Sequence, residues 1–96
     1  MSASEQFIQA IQTGDLVYVE KHLRRPGTEI NAEYQDLDGM TPLMAAVDKD
    51  HLPTAAFLLK EGADPTIEDE TGKTAFDIAK EKNFTKIQLL LEEYKK

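Results

Sequence analysis

The feature that most constrains this chain is a spacing. Asp36, Gly39, Thr41, Leu43 and Ala46 return as Asp69, Gly72, Thr74, Phe76 and Ala79, each 33 residues later, and Asn31 and Asp64 share the offset. Matched residue types across one short window mean that one backbone unit is built twice. A unit of this length cannot bury an apolar face by itself, so successive copies must stack.

The chemistry of the unit follows position by position. Asp36 to Gly39 and Asp69 to Gly72 read as tight turns, because Asp bonds its own backbone and Gly takes positive φ freely. Thr41 then caps a helix whose first residue is Pro42, where a missing N–H is harmless. Thr74 caps the equivalent helix, with Asp77 three positions on as an acidic partner in a reciprocal cap. Leu43, Ala46 and Val47 form an apolar stripe at helical spacing, and Phe76, Ala79 and Lys80 do so less cleanly. These helices stop at Asp50 and Asn83, which tolerate the left-handed conformation that ends a helix. A second helix follows each time: "LPTAAFLLKEG", with Pro53 in its first turn and Gly62 at its end, and "TKIQLLLEEY", with Ile87, Leu90, Leu91 and Tyr94 on one face. The unit is turn, short helix, short helix and loop.

A degenerate earlier copy fills the N-terminus. Ser4 is placed to cap a helix bearing Phe7, Ala10 and Ile11, Gly14 ends it, and Leu16, Val19 and Leu23 line the next. Ala10 aligns with Ala46 at 36 residues, and the surplus lies in a lengthened loop from Arg24 to Ile30, which a surface connection absorbs readily.

Composition removes several function classes. The chain has 96 residues and no cysteine, so a disulfide framework, a thiolate metal site and a cysteine nucleophile are all excluded. A net charge of −7 opposes nucleic acid or an anionic membrane as the main partner. Its two readings are solubility and attraction to a basic protein. No apolar run is long enough to cross a membrane, and "MSASEQFIQAIQ" lacks the pattern of a secretory signal, so a cytoplasmic protein is expected. His22, in "VEKHLRR", reads as a surface residue of an amphipathic helix. Neither His22 nor His51 has acidic or histidine neighbours at metal-ligand spacing, and no serine or threonine sits in a nucleophile turn. No enzyme, metal or cofactor is expected. Lys80, Lys82, Lys86, Lys95 and Lys96, like Lys21, Arg24 and Arg25, lie near helix ends, where cations complement the helix dipole.

On these residues the chain resembles the ankyrin-repeat family from Ser4 to Tyr94. "GMTPLMAAV" is close to its T-P-L-H-x-A signature, "LLKEGADP" to its helix-to-loop end, and "GKTAFDIA" to its usual last repeat. The resemblance implies an all-α fold, an ankyrin-repeat solenoid of three helix-turn-helix repeats joined by hairpin-like turns. It would fill 1–96 as a single domain, with repeats at approximately 4–35, 36–68 and 69–96. Met44 stands where the family has histidine, which implies the loss of a bond back to the turn and a softer second repeat. His51 stands where the family commonly has a structural histidine, just before the second helix.

The resemblance also implies a function: non-catalytic protein–protein interaction through a concave face of turn tips and first helices. Carried onto matching positions, that face is Gln12, Thr13, Leu37, Asp38, Met40, Asp48 and Lys49, with Glu70, Thr71, Lys73, Glu81 and Lys82 from the last repeat. Leu37 and Met40 stand out as apolar residues in a turn flanked by Glu33, Asp36 and Asp38; they either anchor a partner or pack onto the adjacent tip. Ile78 and Leu89 fall off the inward stripes and are expected at the uncovered end of the stack, where a homodimer could form; a monomer is the leading expectation. The alternatives are an immunity-type inhibitor neutralising a basic enzyme, and a purely structural or designed repeat scaffold.

Overall fold

The computed structural model describes residues 3–95; Lys96 and the first two residues lie outside them. Six α-helices are arranged in pairs: α1 (Ala3–Thr13), α2 (Leu16–Leu23), α3 (Pro42–Asp48), α4 (Leu52–Lys60), α5 (Ala75–Glu81) and α6 (Thr85–Glu93). Helices α1, α3 and α5 pack side by side in one layer, with α2, α4 and α6 in a second layer behind them. Among the described residues there is no strand beyond one isolated antiparallel bridge, Tyr34 to Met40. The repeated helical unit expected from the sequence is what the chain forms.

Each helix pair is joined by the same device. Gly14 (φ +80°), Asp50 (φ +56°) and Asn83 (φ +59°) take the left-handed conformation. The following N–H then bonds the carbonyl of the repeated alanine: Asp15 to Ala10 at 2.8 Å, His51 to Ala46 at 2.9 Å and Phe84 to Ala79 at 3.0 Å. This is a Schellman cap, which satisfies carbonyls that the helix leaves open and folds the next helix back. Ala10, Ala46 and Ala79 therefore serve both the cap and close packing, and all three are buried.

The helix starts also match their chemistry. Thr41 Oγ1 accepts the Met44 N–H at 3.3 Å, ahead of Pro42. At Thr74 the reciprocal cap is complete: Asp77 N–H donates to Thr74 Oγ1, and Thr74 N–H donates to Asp77 Oδ2 at 2.9 Å. Helix α1 begins at Ala3, so Ser4 lies in its first turn instead of capping it.

The core runs as one cluster through all three pairs, from Phe7 and Ile11 through Leu43, Met44 and Leu58 to Ile87 and Leu91. Met44 is fully buried, filling space by packing. Three expectations of burial are corrected. His22 is 9% exposed, because α2 turns it inward beside Val19, three residues earlier, and its ring stacks on Phe7 at 4.1 Å. Ile78 is 4% exposed, since it faces back toward the second repeat and not out of the stack. Tyr94, expected on the inward stripe of α6, is 39% exposed beyond the helix end, whereas Leu89 is exposed as expected, at 65%.

Candidate protein-binding face

The turn tips of the second and third repeats are closed by different chemistry. In the first, a short 3-10 segment, Gln35–Leu37, is held by the Tyr34 carbonyl, which accepts N–H groups from Leu37 and Gly39, while Tyr34 N–H bonds Met40 O at 3.0 Å. Asp38 and Gly39 both take positive φ. Here the main chain makes the turn, and not the Asp36 side chain as the sequence suggested. In the second, the side chain does the work: Asp69 Oδ1 accepts from Thr71 N–H (2.8 Å), Thr71 Oγ1 (2.7 Å) and Lys73 N–H (3.0 Å). Burial opposes ionisation of Asp69, yet these donors and the Lys73 charge outweigh it and hold the carboxyl below its ordinary range.

The two tips touch. Glu70 N–H donates to the Asp38 carbonyl at 3.0 Å. Gly39 is buried against Glu70, and a Cβ there would lie 2.8 Å from Glu70 Cγ and 3.1 Å from Glu70 N. The tips thus form a continuous rim above the first helices.

Below the rim, Gln12, Asp48 and Glu81 hold equivalent places on α1, α3 and α5. The Gln12 carbonyl accepts a 2.7 Å bond from His51 Nε2, so that nitrogen carries the proton. This fixes His51 in the structural role expected of it, tying the first repeat to the second. Lys82 Nζ makes the corresponding link from the third repeat, donating to Asp48 Oδ1 at 2.5 Å and to Asp48 O at 3.1 Å. Lys73 pairs with Glu81 at 2.9 Å, and that bond raises the Lys73 pKa. Two shallow depressions result. One, of about 170 Å³, is lined by Gln12, Asp36, Leu37, Asp38, Met40, Asp48 and Lys49. The other, of about 200 Å³, is lined by Asp38, Met40, Asp48, Thr71, Lys73, Glu81 and Lys82, with Asp69 and Ile78.

Of the residues placed on the concave face from the sequence, Thr13 lies apart, in a separate depression with Gln6, Gln9, Asp15 and Tyr18, and the others are brought together with two qualifications. Glu70 belongs to the rim, packed on Gly39, and lines neither depression. Leu37 and Met40 are half-buried and pack against the core, so they floor the groove instead of projecting from it. Among the described residues the ion pairs are Lys73–Glu81 and Lys82–Asp48, which leaves Asp36, Asp38 and Glu70 on the rim without a cation. No group of three or more His, Cys, Asp or Glu among the described residues is placed to hold a metal ion. Nor is any helix long and apolar enough to cross a membrane.

A larger groove, of about 620 Å³, was not anticipated. It lies at the end of the stack between the Gly62–Thr66 loop, Phe76 and Tyr94. The sequence signal for it is a substitution: Lys95 and Lys96 stand where the previous repeat has Gly62 and Ala63.

Comparison with known proteins accords with this architecture. The family model described as ankyrin repeats in three copies matches residues 7–96. Among similar curated proteins, the candidate E3 ubiquitin-protein ligase XBAT34 of Arabidopsis thaliana is 31% identical over 87 residues, 91% of this chain and 23% of its own length. The ankyrin repeat and LEM domain-containing protein 1 homolog of Caenorhabditis elegans is 38% identical over 74 residues, 77% of this chain and 10% of its own. The 2-5A-dependent ribonuclease of Mus musculus is 40% identical over 72 residues, 75% of this chain and 10% of its own. The chain thus spans about a quarter or less of the length of these relatives.

Proposed function

This chain belongs to the ankyrin-repeat family, and from that premise we propose that it binds a basic partner protein through the concave face, acting as an adaptor or by occluding the partner's surface. Repeats of this family are generally protein–protein interaction modules, and fold alone names no partner. The three repeats, taken as 4–35, 36–68 and 69–96, act together as one binding unit.

The observation that carries the reading is the rim. Asp36, Asp38 and Glu70 lack cation partners among the described residues and ring a groove floored by Leu37 and Met40. Charge at a rim steers encounter and selects sign, while a desolvated apolar floor supplies most of the affinity. Of the lysines of this face, Lys73 and Lys82 are tied to Glu81 and Asp48, and Lys49 offsets one of the three rim carboxylates, so the rim keeps a net negative charge.

The test is affinity capture by the chain and by two variants, Asp36→Asn/Asp38→Asn/Glu70→Gln and Leu37→Ala/Met40→Ala. The rim variant should bind the captured protein more slowly and with a flatter salt dependence. The floor variant should release it faster, with both melting temperatures recorded. Equal affinity for all three at matched stability overturns the proposal.

A further inference from the structure

A histidine stands in the core where the other two repeats carry leucine. With Ala10 aligned to Ala46 and Ala79, His22 falls on Leu58 and Leu91, both fully buried, and Phe7 falls on Leu43 and Phe76. His22 keeps the buried place, with its ring stacked on Phe7 at 4.1 Å and 14°, and 6.3 Å from the Tyr18 ring. Its Nδ1 is buried with no hydrogen-bond partner among the described residues. A leucine there would be indifferent to pH, whereas an imidazole gains a proton near pH 6.5 unless its surroundings refuse it.

The surroundings do refuse it. A second ring proton would charge a buried ring and leave the Nδ1 side without an acceptor. Burial, and then the like charge of Arg25, disfavour that cation. On the helices packed against α2, the other ionisable groups are Glu5 on α1 and Lys60 on α4, both exposed, and His51 at the start of α4, bonded to the Gln12 carbonyl. On α2 itself, Asp15 caps the Tyr18 N–H and the Tyr18 hydroxyl donates to Gln6 Oε1 at 2.9 Å, with Glu20, Lys21 and Arg24 further along. Tyr34, from the following loop, lies 6.4 Å from the Phe7 ring.

The geometry points to His22 as an acid-sensitive latch of the first repeat: when its ring is charged, α1 and α2 open from the stack while α3 to α6 keep their packing. The penalty is local because the ring packs within its own repeat, on Phe7. The links to the second repeat, α1 on α3, α2 on α4 and His51 Nε2 to the Gln12 carbonyl, carry no such penalty. Stacked repeats open unit by unit, since their stability is a sum of repeat and interface contributions. Opening takes Gln12 out of the depression it shares with Leu37 and Met40, so acid would release a partner held there. That consequence rests on the reading of the concave face above; the opening itself does not.

The test is amide hydrogen exchange of the whole chain at pH 7.5 and 5.5, corrected for the intrinsic effect of pH on exchange, with His22→Leu beside it. Protection of Ile11, Val19 and Leu23 should fall about tenfold at the lower pH, while that of Leu58, Ala79 and Leu91 should hold. His22→Leu restores the residue of the other repeats, and in it the first group should keep its protection too. An even loss in all three pairs, or no loss in the first, overturns the proposal, and so does an acid loss that survives in His22→Leu. If that variant does not fold, the comparison between repeats in the unaltered chain decides alone. No partner enters the measurement, so failure of the concave-face reading leaves its result untouched.

Discussion

Asn31 Oδ1 accepts the backbone N–H of Asp64 at 2.8 Å, and the two residues hold the same place in successive repeats, 33 positions apart. The lengthened loop before Asn31 leaves this register intact. Replacing Asn31 by Ala removes the acceptor and should lower stability by about 1 kcal/mol. Asn31→Asp keeps an acceptor and should lose less. Thermal unfolding of both variants, with hydrogen exchange at the Asp64 amide, reads the difference.

Gly39 and Gly27 provide a matched pair. Both have φ near +80°, at +80° and +82°, but only Gly39 faces a neighbour, with Glu70 N 3.1 Å from the Cβ position. Gly27→Ala should therefore show backbone strain alone, about 1–2 kcal/mol. Gly39→Ala should exceed it and loosen the Glu70 N–H to Asp38 carbonyl bond. Chemical denaturation of the two variants measures the excess, and equal losses would mean that the tips are not in contact.

His22 makes stability depend on pH. Burial of its ring, and then the Arg25 charge, push its pKa below the ordinary 6.5. As pH falls through 6.5 the unfolded chain gains a proton that the folded chain refuses, so the stability contributed by neutral His22 is present above that value and lost below it. Melting temperature should fall between pH 7.5 and 5.5, and His22→Phe should flatten that part of the profile. The variant also removes Nδ1, a buried atom without a hydrogen-bond partner among the described residues, and should be no less stable at pH 7.5.

The two threonine caps should differ. Thr74→Ala breaks a reciprocal cap and should lower stability by about 1 kcal/mol. Thr41→Ala loses its cap and also a side chain that is 99% buried in the middle repeat, so its loss should be larger. Unfolding of the two single variants under one set of conditions orders them.

What was legible in the sequence is what depends on local backbone chemistry. The caps at Thr41 and Thr74, the left-handed stops at Asp50 and Asn83, and the shared register of Asn31 and Asp64 each reflect a conformational need of a few residues. What was not legible depends on neighbours distant along the chain. His22 read as a surface residue because the Leu16, Val19 and Leu23 stripe suggested a different inward face, and the Phe7 ring that covers it belongs to another helix. Ile78 read as exposed because its burial comes from the preceding repeat. Leu37 and Met40 sit between the two alternatives: packed enough to shape the groove, open enough to line it. The end groove went unseen because its walls come from the loop of one repeat and the helices of the next, which only the fold brings together.

The loop from Arg24 to Ile30 shows how little the stack asks of its connections. Apart from its two chain neighbours, no described residue comes within 4 Å of the Cβ position of Gly27, and Pro26 and Gly27 are both exposed. An epitope tag or a fluorescent reporter grafted between them would leave the neighbouring helices in register, because the chain is anchored again at Asn31. A sensor of partner binding could be built there without altering the concave rim or the end groove.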